Sequence, residues 1–425
     1  MLRILRGVGW ALLGLVVLVL LLWSLSRLWP LPAAQREQVR WLEDVQPAPG
    51  KNGFALLWTL PFDGLDPAQR EAALAVDVRR WQAGPAPGMA DSALAATHPA
   101  VALDPRGKCG PAAGDCLAKV RADEQGFSAA HAGHLQLHAR LDSLADVDNV
   151  DTPFVPSGTA WLMPLPNYAL LMDGTGAHAL AYVQGDIAGA LAGSCRSVQM
   201  GRRLMRGGNT LIDSMIGAAV VRTHVQLLAA MLAELPPDQV LPAACERALQ
   251  PMDADGQSLC RAMQGEFAIS KAAIDASLQQ AGTVLMLDRE HTLGRIALNL
   301  GWACDPATTG RLAADMPVVV GSVGRWDVGC LSNMIGCVLG DIAAPAYQDY
   351  AARSQDAAAW LRLLGTQRWL RQQADAPEQA LHRLPAHWRS PSRTPVLSAD
   401  GKHLQVPRRA RDMPAGAAPL LSVPL

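Results

Sequence analysis

The stretch ALAYVQGDIAGALAGSCRSV, Ala179–Val198, reads as a helix, a tight Gly185-Asp186 turn and a second helix. Glycine supplies the backbone freedom such a turn needs. The helical pattern runs on around it, from His178 to Leu235. Two short echoes extend the idea. Gly185-Asp186-Ile187-Ala188 recurs as Gly340-Asp341-Ile342-Ala343, and Met215-Ile216-Gly217 recurs as Met334-Ile335-Gly336. They point to two similar helical hairpins in which Gly217 and Gly336 let helices approach closely. The fold class that follows is mainly α, a large domain of helical hairpins of the kind that can stack as a solenoid.

Working outward, Asp66-Pro67 places a good N-cap and a proline at the first helical position, ahead of a helix to about Gln82. Cys116–Val147 returns to helical pattern. Further helices are expected at Gln239–Leu249, Ser258–Gln280, Arg289–Gly301 and Pro345–Gln373. In the last, Tyr347, Tyr350, Trp360, Leu361 and Leu364 suit one broad buried face. After Pro385 the helical pattern stops, and Asp400-Gly401 within TPVLSADGKHLQV (Thr394–Val406) is a type I′ hairpin signal. The hairpin around Gly185 resembles one turn of a tetratricopeptide repeat over about twenty residues, but that family's period of about 34 residues is not visible.

At the other end, GVGWALLGLVVLVLLLWSL (Gly7–Leu25) carries no charge and follows Arg3 and Arg6. As a helix it would span roughly 30 Å, close to the hydrocarbon thickness of a bilayer. It is longer than the apolar core of an ordinary cleaved signal, so an uncleaved anchor is expected. Positive charges on its two sides nearly balance, and the cysteines decide the orientation. All eight (Cys109, Cys116, Cys195, Cys245, Cys260, Cys304, Cys330, Cys337) follow the anchor, and an even set beyond a membrane signal fits an oxidising compartment. Local pairing is expected: Cys109 with Cys116, Cys245 with Cys260, and Cys330 with Cys337, which leaves Cys195 with Cys304. Two regular helical turns would hold Cys330 and Cys337 about 10 Å apart, so their pairing requires irregular backbone between them.

The domain order that results is a cytoplasmic stub (1–6), a transmembrane anchor (7–28) and a stalk (29–50). An N-terminal helical and loop region with the Cys109–Cys116 loop (51–150), a helical domain (151–392) and a β-hairpin with a loosely ordered tail (393–425) follow. Ala, Gly, Pro and Arg richness suggests a bacterium, which places the anchor in the inner membrane and the bulk of the chain in the periplasm. With 50% hydrophobic and 18% charged residues a real core can be buried, and a net charge of −1 argues against nucleic acid as a partner.

Candidate chemistry is sparse. The best cluster is His131, His134, His138 and Asp142 in SAAHAGHLQLHARLD. On one helix, His131, His138 and Asp142 fall within roughly 20° of a line, and imidazoles with a carboxylate can hold Zn²⁺. Asp146, Asp148, Asn149 and Asp151 supply hard oxygens that suit Ca²⁺, without the Gly and Glu an EF-hand loop needs. Glu266 is the one candidate catalytic acid, with no second carboxylate to partner it. Gly321-Ser322-Val323-Gly324 lacks the nucleophile-elbow spacing. No cofactor is called for beyond the Zn²⁺ and Ca²⁺ candidates. From Leu361 onward Arg362, Arg368, Arg371, Arg383, Arg389, Arg393, Lys402, Arg408, Arg409 and Arg411 outnumber the acids and could meet an acidic partner. The sequence therefore points first to an anchored, non-enzymatic binding, scaffold or assembly factor for another envelope component. The competing reading is an envelope hydrolase acting on peptidoglycan, polysaccharide or lipid.

Overall fold

The computed structural model describes residues 2–84, 91–110, 115–158, 163–279, 283–320, 327–411 and 419–425. Helix α1 (Leu2–Leu28) is the apolar N-terminal segment, and its stretch Arg6–Leu28 is long and apolar enough to cross a membrane. The chain from 29 to 50, expected as a stalk, packs into the domain. Its helix α2 (Ala33–Glu43) buries Leu42 and Gln35. The short α3 (Phe54–Trp58) then meets α4 (Pro67–Gln82). The bounds of α4 are those expected, and Asp66 and Gln69 form a full capping box. Phe54, Trp58, Trp81 and Phe154 pack there, Trp58 and Phe154 edge to face at 5.0 Å.

The helical stretch expected from Cys116 to Val147 is broken. It forms α5 (Cys116–Ala122), α6 (Glu124–His131) and α7 (Leu135–Ser143), with a turn through Ala132, Gly133 and His134 between the last two. Next come α8 (Gly174–Val183) and α9 (Ile187–Gly207), joined through Gly185 at φ +91°. The Gly185-Asp186 turn is thus as expected, and Asp186 caps α9 through the Gly189 amide at 2.9 Å.

Helix α10 (Leu211–Glu234) is apolar enough to pass as a membrane span, yet two-thirds of it is buried inside the domain, between α9 and α16. Its Gly217 lies against Gly201 of α9. A β-carbon on Gly217 would sit 2.6 Å from the Gly201 carbonyl oxygen, so backbone meets backbone. The expected helix at Gln239–Leu249 shrinks to α11 (Ala244–Ala248), after Pro236, Pro237 and Pro242 have interrupted the pattern. A single turn α12 (Ala254–Gln257), then α13 (Cys260–Ser277), α14 (Arg289–Leu300) and α15 (Pro306–Ala313) follow.

Helix α16 (Met334–Arg371) starts eleven residues before Pro345, where the sequence had suggested a helix start, so its range runs through that proline. Gly336 faces Thr292 of α14 so closely that a β-carbon would overlap the hydroxyl. After α17 (Pro377–Leu381) the chain forms an antiparallel sheet in the order β1 (Val396–Leu397), β2 (His403–Pro407), β3 (Leu420–Pro424). Two expectations are corrected here. The tail contributes a third strand, with Leu421 and Val423 buried against the main core. The first turn joins Leu397 to its partner Leu404 across six residues, and only Gly401 of the Asp400-Gly401 pair has positive φ, so it is not a type I′ turn.

All eight cysteines pair. Cys109–Cys116 and Cys330–Cys337 join as expected. The latter spans 5.8 Å between α-carbons, because a 3₁₀ turn (Val328–Leu331) and an irregular corner precede α16. The other two expectations are overturned. Cys195 pairs with Cys245, since α11 packs on α9, and Cys260 pairs with Cys304, since α13 lies beside the 3₁₀ turn at Gly301–Cys304. Four disulfides, three of them buried, suit an oxidising compartment.

Candidate metal centre

The break between α6 and α7 builds the site. With Gly133 in the connection, the His134 amide bonds to the His131 carbonyl at 3.0 Å, and His134 then receives the His138 amide at 2.9 Å. Three imidazoles therefore converge instead of winding around one cylinder. They face Asp173, which stands at the start of α8. Asp173 Oδ2 lies 3.4 Å from His131 Nδ1, 2.9 Å from His134 Nδ1 and 3.0 Å from His138 Nε2. One ligand atom from each of the four falls within 4.8 Å of all the others. Asp173, His131 and His134 are buried, and His138 is partly exposed.

The outer nitrogens fix the proton positions. His131 Nε2 is 3.2 Å from the Gly107 carbonyl and His134 Nε2 is 3.2 Å from the Ala102 carbonyl. A carbonyl only accepts, so each Nε2 carries the hydrogen. In the neutral ring, Nδ1 then presents a bare lone pair to a carboxylate oxygen. His131 Nδ1 accordingly has no hydrogen-bond partner although it is buried. Lone pairs facing at such distances repel, unless the imidazoles are protonated or a cation lies among them. Burial alone would raise the Asp173 carboxyl, but the surrounding imidazoles, when they are protonated and donate to it, override burial and hold it well below the usual range. Behind the cluster, His178 and His224 meet edge to face with ring centroids 5.7 Å apart, and burial pushes His224 down to about 4 and His178 well below its ordinary value.

The three edges that meet at Asp173 Oδ2 suit a tetrahedral ion. With Zn–N and Zn–O bonds of about 2.0–2.1 Å, tetrahedral ligands stand about 3.3 Å apart, and the three distances to Asp173 Oδ2 bracket that value. His131 and His134 each direct the outer ring nitrogen at a carbonyl, the arrangement usual for a histidine that binds a metal through its other nitrogen.

The structure brings together His131, His134 and His138, which the sequence singles out, and sets Asp173 beside them where Asp142 is expected. A straight helix would bring Asp142 into line; the break at Gly133 turns it away, and it lies 3.6 Å from Arg196, with burial raising its carboxyl. Asp173 is 35 residues further along the chain from His138. Its signal was an acidic residue before Gly-Thr-Gly at a helix start, where α8 begins earlier than its apolar pattern.

The other candidates disperse. Asp146 pairs with Arg196 at 2.7 Å, Asp148 accepts the Lys51 amide at 2.8 Å, Asp151 pairs with Arg261, and Asn149 donates to the Pro49 carbonyl at 3.1 Å. Oxygens each held by a separate partner do not form a Ca²⁺ cage. Glu266 on α13 is raised by burial and receives the Leu211 amide at 3.4 Å, at the start of α10, apart from the histidines. Asp327, Cys330 and Cys337 also lie close together, but both sulfurs are committed to a disulfide. The C-terminal arginines are largely used internally. Arg393 bonds Asp315 and Asp356, Arg362 and Arg409 reach Asp315, and Arg371 donates to the Leu235 carbonyl at the end of α10. Gly321-Ser322-Val323-Gly324 lies outside the described residues.

No family model matches this chain, and no curated protein or solved structure matches it.

Proposed function

We propose that this chain is a bacterial inner-membrane protein, anchored once through residues 7–28, whose periplasmic domain holds one Zn²⁺ between His131, His134, His138 and Asp173. The observation that carries the metal is the two-sided bonding of His134. Its two nitrogens both face groups that only accept, the Ala102 carbonyl and the Asp173 carboxylate, so a single neutral ring cannot satisfy both and a cation at Nδ1 would. The metal's role is structural. Four protein ligands fill a tetrahedral shell, as in closed zinc sites, and they tie the α6–α7 corner to the start of α8. A ligand set of this kind supports a binding or scaffold factor for another envelope component in preference to a hydrolase, which needs a position open to water or substrate.

The test uses the full chain, purified without an affinity tag and equilibrated with Zn²⁺ before dialysis. Elemental analysis should return one zinc per chain, and Asp173→Asn and His134→Ala should each lose it while far-ultraviolet circular dichroism stays helical. A folded wild-type chain that retains no zinc, or a Asp173→Asn variant that retains it in full, would overturn the reading.

A further inference from the structure

The end of α1 is built into the domain. Ser26 is fully buried; its hydroxyl lies 2.6 Å from the Val328 carbonyl and 2.9 Å from the Ser332 hydroxyl, and the Ser332 amide donates back to it at 3.0 Å. Trp23 Nε1 donates to the Leu285 carbonyl at 3.0 Å, and the Trp29 carbonyl is 3.0 Å from His291 Nε2. Trp23 is three residues nearer the middle of α1 than Ser26, about 4.5 Å along the axis. Leu285 is therefore held alongside the apolar helix itself, below its junction with the domain.

Around that junction the domain exposes large apolar side chains. Leu285 is 63% exposed, Leu331 57%, and Met334, Val338 and Ile342 are 43%, 49% and 73% exposed. The last three are spaced four residues apart, so they form one face of the first turns of α16. The Ile335 amide bonds the Met286 carbonyl at 3.1 Å, which ties this face to the Leu285 segment. An apolar surface of this kind is costly in water, and through the Trp23–Leu285 contact it adjoins the uncharged Gly7–Ser26 stretch of α1.

We infer that this collar is seated in the interfacial layer of the same bilayer that takes α1, so that the domain is held against the membrane face and does not swing on a free stalk. The inference rests on reading α1 as the membrane anchor. The packed segment 29–50 and the fixed Ser26 junction leave the collar no route away from the lipid once α1 is inserted.

All native cysteines are paired, so one added cysteine can carry a nitroxide label. Leu15→Cys, Val338→Cys, Ile342→Cys and, as a remote control, Leu135→Cys are labelled in the full chain. Leu135 is 78% exposed and lies at the start of α7. The proteins are reconstituted in phosphatidylglycerol–phosphatidylethanolamine vesicles, and collision rates with oxygen and with a water-soluble nickel chelate are measured. Labels at 338 and 342 should favour oxygen over nickel, with 15 deeper still and 135 favouring nickel. If 15 lies in the bilayer while 338 and 342 behave like 135, the collar inference fails and the anchor stands. If 15 also favours nickel, both fail. Labels at 338 and 342 shielded from both reagents, with spin–spin broadening between chains, would replace lipid by a second copy as the occupant.

Discussion

His134 Nδ1 lies 2.9 Å from Asp173 Oδ2, while the other nitrogen of the same ring lies 3.2 Å from the Ala102 carbonyl. The ring is gripped from both sides, and so is His131, whose outer nitrogen is fixed by Gly107. A site held in this way depends on backbone that touches no metal.

Gly176 tests that dependence. It is the third residue of α8, and a β-carbon there would overlap the Gly107 carbonyl oxygen and lie 2.8 Å from His131 Nε2. Gly176→Ala must displace the carbonyl that orients the ring. Loss of such an outer-shell partner weakens metal binding by about 10–100-fold. Competition with a chromophoric chelator should show that drop, with the zinc stoichiometry restored at high metal concentration. Affinity unchanged from wild type would mean that Gly107 does not orient His131.

The site's histidines were readable because they share fifteen residues of sequence and the spacings i, i+3 and i+7. Asp173 was not, because a carboxylate reached through the turn of a broken helix leaves no periodicity. The same physics governs the disulfides. Cys109–Cys116 and Cys330–Cys337 close seven-residue separations that local chain geometry can suggest, whereas Cys195–Cys245 and Cys260–Cys304 follow from which helices pack together. Helix existence was legible from hydrophobic spacing and from the Asp66-Pro67 cap. Proline ordinarily marks a helix boundary, so the sequence places the start of α16 at Pro345, whereas tertiary packing carries the helix through it.

The long-range bridges should matter more than the short ones. In the chain-entropy view, cross-linking a loop of about 50 residues stabilises by about 4 kcal/mol, and one of about 8 residues by about 2.5 kcal/mol. The Cys195→Ala/Cys245→Ala chain should therefore lose more than Cys330→Ala/Cys337→Ala in guanidinium unfolding. Mass spectrometry of non-reduced peptides should recover Cys195 joined to Cys245 and Cys260 joined to Cys304. Recovery of Cys245 with Cys260 would contradict the packing of α11 on α9.

Asp213 gives stability an unusual pH slope. It is fully buried at the start of α10, where it accepts the Tyr168 hydroxyl at 2.5 Å and the Thr210 hydroxyl at 2.6 Å. Burial outweighs those hydrogen bonds and pushes its carboxyl up to about 6, against about 3.9 in an unfolded chain. Between about pH 4 and pH 6 the folded chain keeps a proton that the unfolded chain has lost, so this group's contribution falls as pH rises, by up to about 3 kcal/mol in all. Asp213→Asn removes that slope. Denaturation midpoints measured from pH 4 to pH 7 in excess zinc should converge or cross as pH rises, with the variant gaining relative to wild type. Parallel profiles would show that Asp213 is ionised throughout.

The contact between α9 and α10 sets the spacing of the main core, and it can be probed at one atom. A β-carbon on Gly217 would lie 2.6 Å from the Gly201 carbonyl oxygen and 2.9 Å from Leu204 Cβ. Neither neighbour can swing aside, since one is backbone and the other is the root of a buried side chain. Gly217→Ala should cost about 1–3 kcal/mol, the range for overpacking a dense interior. Gly310 in α15 is the opposite case: it is exposed, and a β-carbon there meets nothing within 4 Å. Alanine at 310 should stabilise by up to about 1 kcal/mol, through helix propensity alone. Equal shifts of the two unfolding midpoints in the same direction would mean that the helices do not meet at Gly201 and Gly217. Opposite shifts are the expected signature of backbone packed directly on backbone.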